Sequence, residues 1–167
     1  MAKTAIVSDE LAKKFETEKN TPYGRWVAGE GLDIISAQYV PNLRTVELKP
    51  WARRGGNAVF VNHDASRTSN DSYVMEIPPG KHLAPHRQLY EEMVLVLDGR
   101  GSTTVWNDSG QRITFEWKAG AIFAIPLNCF YQHFNGSGQA PAHPAHAGPQ
   151  AALPAGRHPG GGDARCD

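Results

Sequence analysis

Apolar and polar positions alternate with a period of two through the middle of the chain. Residues 72–77 set Tyr73, Met75 and Ile77 against Val74 and Glu76, and residues 112–116 set Ile113 and Phe115 against Thr114 and Glu116. That period is the side-chain alternation of a β-strand. Short apolar or β-branched runs at 58–61, 102–106, 121–125 and 129–135 read the same way. Residues 93–97 (MVLVL) are apolar without a break, as in a strand buried on both faces, and Asp98-Gly99 closes the run as a hairpin turn. Turn formers separate the runs at 62–66, at Pro78-Pro79-Gly80, at 107–110 and at 118–120. Short strands punctuated in this manner predict an all-β antiparallel sandwich or barrel.

The flanks have other patterns. Ser8 followed by Asp9 and Glu10 is a helix start, with Leu11 and Phe15 on one apolar face, and the helix ends by about Asn20, ahead of Pro22. Residues 23–50 are irregular, with a short apolar element at 32–35 and an alternating one at 45–48, flanked by Trp26 and Trp51. Such a lead-in covers an open side of a barrel or pairs with a second copy. Beyond Gly136 the chain is rich in Gly, Pro, Ala and His and loses all apolar periodicity. Proline cannot donate to a ladder and glycine weakens a strand interior, so a disordered tail is expected from 139. The chain divides as an N-terminal extension (1–57), a barrel (58–138) and a tail (139–167). Within the tail His143, His146 and His158 read as features of biased composition rather than as ligands. This composition is also what a GC-rich gene gives when read out of frame, so a frame-shifted or truncated end is expected. An unpaired sheet edge would remain and recruit partners, giving a homo-oligomer.

Charge and composition narrow the partners. Seventeen basic and seventeen acidic residues cancel, which gives no footprint for nucleic acid or for an anionic membrane. No apolar run approaches the ~20 residues of a membrane span, and the first residues lack the apolar core of a signal peptide, so a cytoplasmic protein is expected. Two cysteines, Cys129 and Cys166, give no disulfide framework and fit a reducing compartment. The His63-Asp64 pair reads as part of a polar turn rather than as a catalytic pair.

The residues that carry chemistry lie between Gly80 and Gly99. His82, His86, Gln88, Glu91 and Glu92 precede the apolar run, and His86 and Gln88 share one face of an extended chain. The spacing resembles the first motif of the cupin superfamily, G-x5-H-x-H-x3-E-x6-G, with Gly80, His86, Gln88, Glu92 and Gly99 at its fixed positions and Gln88 in place of the second His. Gly120, Pro126, Asn128, Tyr131 and Asn135 match the second motif, G-x5-P-x-G-x2-H-x3-N, with Asn128 for Gly and Tyr131 for His. Two motifs in register are far more specific than one. The resemblance implies a cupin-type jelly-roll barrel, here with an N-terminal helix-containing extension and a disordered C-terminal tail.

It also implies a divalent ion, Fe(II) first and Mn, Ni or Zn next, held by three histidines and a glutamate. Of those positions the chain keeps His86 and Glu92, while Gln88 and Tyr131 are weak donors. His133, two residues past Tyr131, shares its inward face and offers a further nitrogen, about 6–7 Å along the strand. The metal set is therefore His86, Gln88, Glu92, Tyr131 and His133, or the same residues form a hydrogen-bonded polar interior without metal. His82 is placed at the rim. The layout is similar to gentisate-type ring-cleaving dioxygenases, which implies an Fe(II) enzyme acting on an aromatic hydroxy-acid, with Arg87 or Arg100 taking the carboxylate. The alternative is a non-catalytic cupin that binds a small molecule or supports a dimer. No catalytic residue is assigned.

Overall fold

The computed structural model describes residues 22–63 and 70–149. The expected helix at 8–20 and His158 lie outside the described residues, as does Asp64. A helix that the sequence reading does not anticipate, α1 (Pro22–Gly29), opens the described chain. Pro22, read as a stop, is its first residue, a position where the missing N–H costs nothing.

Eleven strands follow: β1 (Ile34–Ala37), β2 (Lys49–Trp51), β3 (Gly56–His63), β4 (Asn70–Glu76), β5 (His86–Arg87), β6 (Glu92–Asp98), β7 (Arg100–Trp106), β8 (Arg112–Lys118), β9 (Ile122–Ile125), β10 (Phe130–Asn135) and β11 (His143–Pro149). One sheet runs β1-β3-β4-β11-β6-β9, with β2 also on β3, and a second runs β5-β10-β7-β8. Every pairing is antiparallel except that of β1 with β3. The two inner faces enclose Phe60, Met75, Ile77, Leu83, Val96 and Trp117, and a second cluster of Val94, Val105, Ile125, Cys129 and Tyr131.

Three expectations change here. Asp98-Gly99 is not a hairpin: β6 and β7 belong to different sheets, and the turn carries the chain from one to the other. Gly99 makes that corner with φ +85, and its backbone passes so close to Ala142 that an added Cβ would lie 2.7 Å from its Cα. Nor is β6 buried on both faces, because Met93 and Leu95 stand exposed while Glu92, Val94 and Val96 point inward. Leu97 alone on the outer side is covered, together with Val59, Val61 and Val74, by Ile35, Val40, Leu43, Val46 and Leu48 of the lead-in. The extension thus sheathes the outer face of the larger sheet.

The third change concerns the tail. Residues 143–149 are not disordered; they form β11, inserted between β4 and β6. Its sequence, HPAHAGP, has no apolar periodicity, yet the strand satisfies the ladder. Pro144 sits at a register shift, where the lost N–H is tolerated, and Pro149 is the last residue. Small residues suit the crowding, since a Cβ on Gly148 would lie 3.0 Å from the Glu91 carbonyl oxygen. With β11 in place, neither β4 nor β6 is left as the open edge that the sequence reading expects. Cys129 is buried in the second of the two core clusters.

Gly101 supplies a direct check of the packing between β7 and β10. A Cβ there would stand 2.1 Å from the Phe134 carbonyl oxygen and 2.5 Å from the Trp117 ring. Gly101→Ala is expected to lower stability by roughly 1–3 kcal/mol, the usual cost of overpacking, read as a lower urea midpoint. An unchanged midpoint would mean that this strand pair is not packed as described.

Candidate functional site

The site is built on the inner faces of β4, β6, β10 and β11. Alternation on β10 turns Tyr131, His133 and Asn135 inward, all buried, as the spacing predicts for Tyr131 and His133. Asn135 ties off the strand end by donating from Nδ2 to the carbonyls of Ile77 and Ala140 at 2.8 and 2.9 Å. Glu92 is the first residue of β6 and is 1% exposed. Asn128, standing where the motif has glycine, has φ +60, a left-handed conformation that Asn tolerates better than most side chains.

Glu92 is closed off on both oxygens. Tyr73 donates its phenol to Oε1 at 2.5 Å and Tyr131 donates to Oε2 at 2.8 Å. Nδ1 of His146 lies 3.2 Å from Oε2, off the line of a good hydrogen bond. Burial works against the carboxylate charge, but His146 and the two phenols outweigh it and hold the carboxyl down at about 2. The same burial, reinforced by the Glu92 charge, pushes both phenols well above their usual range. Tyr131 is therefore a neutral donor and not an ionised ligand.

The imidazoles gather around the Tyr131 ring. His86, half-buried, meets it edge-on at 5.6 Å between centroids, and His133 lies at 5.1 Å and His146 at 6.5 Å. His146 also stacks on Tyr73 at 4.5 Å. Burial, aided by Arg54 and Arg53, drives His86 down to about 3, and burial first, then His146 and Arg54, holds His133 well below the usual range. Both are neutral at ordinary pH. Nδ1 of His133 shares a 2.7 Å hydrogen bond with the Thr103 hydroxyl, which in turn accepts from Trp117 Nε1 at 2.8 Å. Among the described residues, Nε2 of His133 and Nε2 of His146 have no hydrogen-bond partner, nor has either end of the buried Gln88 amide.

All five sequence candidates are thus found inside or partly inside the barrel, with His86, Glu92, Tyr131 and His133 brought together. Others go elsewhere. His82 is exposed and takes a 3.0 Å contact from Gln132. Arg87 is spent on Asp108 (2.8 and 2.9 Å), on Asn128 and on the Phe130 ring. Arg100 is exposed. Two central residues escape a reading of the sequence. His146 falls in the segment expected to be a disordered tail, and only the β11 pairing with Tyr73 and Val94 reveals it. Arg54, 1% exposed, sits in the turn from β2 to β3, which the Ala84 N–H pins by donating to its carbonyl at 2.7 Å. No spacing in the sequence signals it.

No family model matches the chain, and no curated protein matches it by sequence. Solved structures do. An oxalate decarboxylase from Lactobacillus farciminis, in a formate complex, superposes with a TM-score of 0.54 at 18% identity, over 65% of this chain and 34% of that one. The Cnp3 cupin domain of Schizosaccharomyces pombe gives 0.53 at 18% identity, over 65% and 71%. This is a cupin fold. Bacillus subtilis oxalate decarboxylase, which has Mn(II) centres, gives 0.53 at 18% identity over 60% of this chain and 27% of its own. The chain therefore spans about a third or less of the length of the decarboxylases.

The motif positions do not reproduce the three-histidine, one-glutamate set of a cupin ion, and the imidazoles gathered here are not arranged as one. Gln88 and Tyr131 replace two donors, and both Glu92 oxygens accept phenolic protons. Among the described residues no group of three or more His, Cys, Asp or Glu is arranged to hold a metal. No helix among them is long and apolar enough to cross a membrane.

Proposed function

We propose that this cupin binds a compact polar small molecule inside the barrel and performs no metal-dependent chemistry. The observation that carries the reading is a pair of buried imidazole nitrogens left without partners near a sealed carboxylate, Nε2 of His133 and Nε2 of His146, with the buried Gln88 amide also unpartnered among the described residues. Buried polar groups are normally satisfied, and each one left alone costs about 1–3 kcal/mol. A ligand carrying both donors and acceptors satisfies them together. The dioxygenase reading of the sequence rests on layout, and the donor set does not serve it: Glu92 would have to release two phenols before it could turn to an ion.

Elemental analysis of freshly purified protein is expected to find no stoichiometric Fe, Mn, Ni or Zn, while gentle denaturation releases a small polar compound detectable by mass spectrometry. Stoichiometric metal with oxygen uptake on an aromatic hydroxy-acid would reverse the assignment. A gain-of-function variant supplies the complementary check. Tyr131 lies directly across from His86 in the pairing of β10 with β5, so Tyr131→His places an imidazole beside it and frees Oε2 of Glu92. Zn(II) titration of this variant is expected to show at least tenfold tighter binding than the parent chain. Equal binding would mean that His86, Glu92 and position 131 do not share a centre.

A further inference from the structure

Arg54 is the most unusual buried group in the molecule. Its guanidinium is 1% exposed, and Nε and both terminal nitrogens have no hydrogen-bond partner among the described residues. No carboxylate among those residues pairs with it. Its contacts are aromatic: Cζ lies 5.3 Å from the centroid of the Tyr131 ring and 6.0 Å from that of Trp51. Cation–π contacts of that kind return only a small part of what desolvating a guanidinium costs, and arginine keeps its charge. A positive charge held on the inner side of the barrel by a pinned turn needs an anion.

We propose that Arg54 is the anchor of the ligand site and that the ligand is a compact monocarboxylate. This rests on the reading that the barrel holds a small molecule, and adds the charge and the group by which it is held. The guanidinium fork matches a carboxylate with two parallel hydrogen bonds. Tyr131 links the anchor to the rest of the site, because Arg54 faces one side of its ring and His133 and His146 surround it. The His133 and His146 rings then meet the polar remainder of the ligand. A dianion such as phosphate would add a second charge close to buried Glu92, which is already ionised. Arg53, next in sequence, is excluded from the role: it is engaged by Glu30 at 2.9 Å and stacks on Trp26 at 5.2 Å.

The test compares the full chain with Arg54→Met and Arg54→Lys, using acetate, acetamide and phosphate as probes in calorimetry and thermal melts. Acetate is expected to bind the parent chain and raise its melting temperature with concentration. Arg54→Met should lose at least tenfold in acetate affinity, with Arg54→Lys between the two. Without any probe Arg54→Met should melt at or above the parent temperature, because it removes an unpaired buried charge and keeps the volume. A structural arginine would do the opposite. Acetamide binding as well as acetate, with Arg54→Met indifferent, overturns the anchor but leaves a binding barrel. Phosphate binding as tightly as acetate overturns the monocarboxylate. No probe distinguishing the parent chain from Arg54→Met, together with a lower melting temperature for that variant, overturns the inference, and a ligand-free preparation that binds no small polar compound removes the underlying reading as well.

Discussion

Ending the chain at Gly138 is expected to abolish cooperative folding. That cut removes β11, which pairs on one side with β4 over Asn70–Val74 and on the other with β6 over Met93–Asp98. Two interior strands would then face each other across an empty track, with their N–H and C=O groups unpaired. The cut also removes Ala142, fully buried in the core, and His146, stacked on Tyr73. Domain stabilities of ~5–15 kcal/mol do not survive the loss of an interior strand. Circular dichroism and urea denaturation should show no sigmoidal transition, and the product should aggregate. A chain ending at Gly138 that melts within a few degrees of the full chain would place β11 outside the folded unit.

Acid is expected to unfold the protein well before most carboxylates have titrated elsewhere. His86 is held at about 3 against an ordinary 6.5, so the unfolded chain takes up its proton first and stability falls as pH drops from 6.5 toward 3. His133 acts in the same direction. Glu92 is held at about 2 against an ordinary 4.5, so its contribution is complete above pH 4.5 and is lost from there toward 2. The three losses share a sign and overlap between pH 4.5 and 3. A tenfold change in proton affinity is worth about 1.4 kcal/mol, so the sum is on the order of several kcal/mol, comparable to the whole stability of a small domain. Melting temperature should hold near neutrality and fall steeply below about pH 6. Glu92→Gln separates the parts. It should cost roughly 2–4 kcal/mol at pH 7 by leaving two phenols with a poorer acceptor, and it should flatten the profile below pH 4.5 while keeping the upper limb. Stability that is level from pH 7 to 4 would mean that these groups are not buried as described.

Most of the strands are legible in the sequence because period-two alternation and turn residues are local signals. β3, β4, β7, β8 and β10 lie close to their expected positions. The motif spacing also carries information that residue identity obscures: Asn128 keeps the left-handed backbone of the glycine it replaces. What stays hidden is whatever depends on partners far away in sequence. β11 has no pattern of its own, and its strand conformation is imposed by β4 and β6 on either side. The burial of His146 follows from that register alone. Arg54 is equally invisible, since nothing in the Arg53-Arg54-Gly55-Gly56 turn tells which arginine points in. The 98–99 turn misleads because a hairpin and a change of sheet use the same residues.

The position of β11 also sets an order of events. β4 and β6 never touch each other directly in the ladder, and the strand that joins them is the last described element to leave the ribosome. Until then β3 and β4 can form one ribbon and β7, β8 and β10 another, but the larger sheet stays in two pieces. Folding therefore waits on contacts of long sequence separation, which are slow to form because loop closure must precede them. During synthesis the waiting edges of β4 and β6 are the surfaces that a chaperone would need to shield.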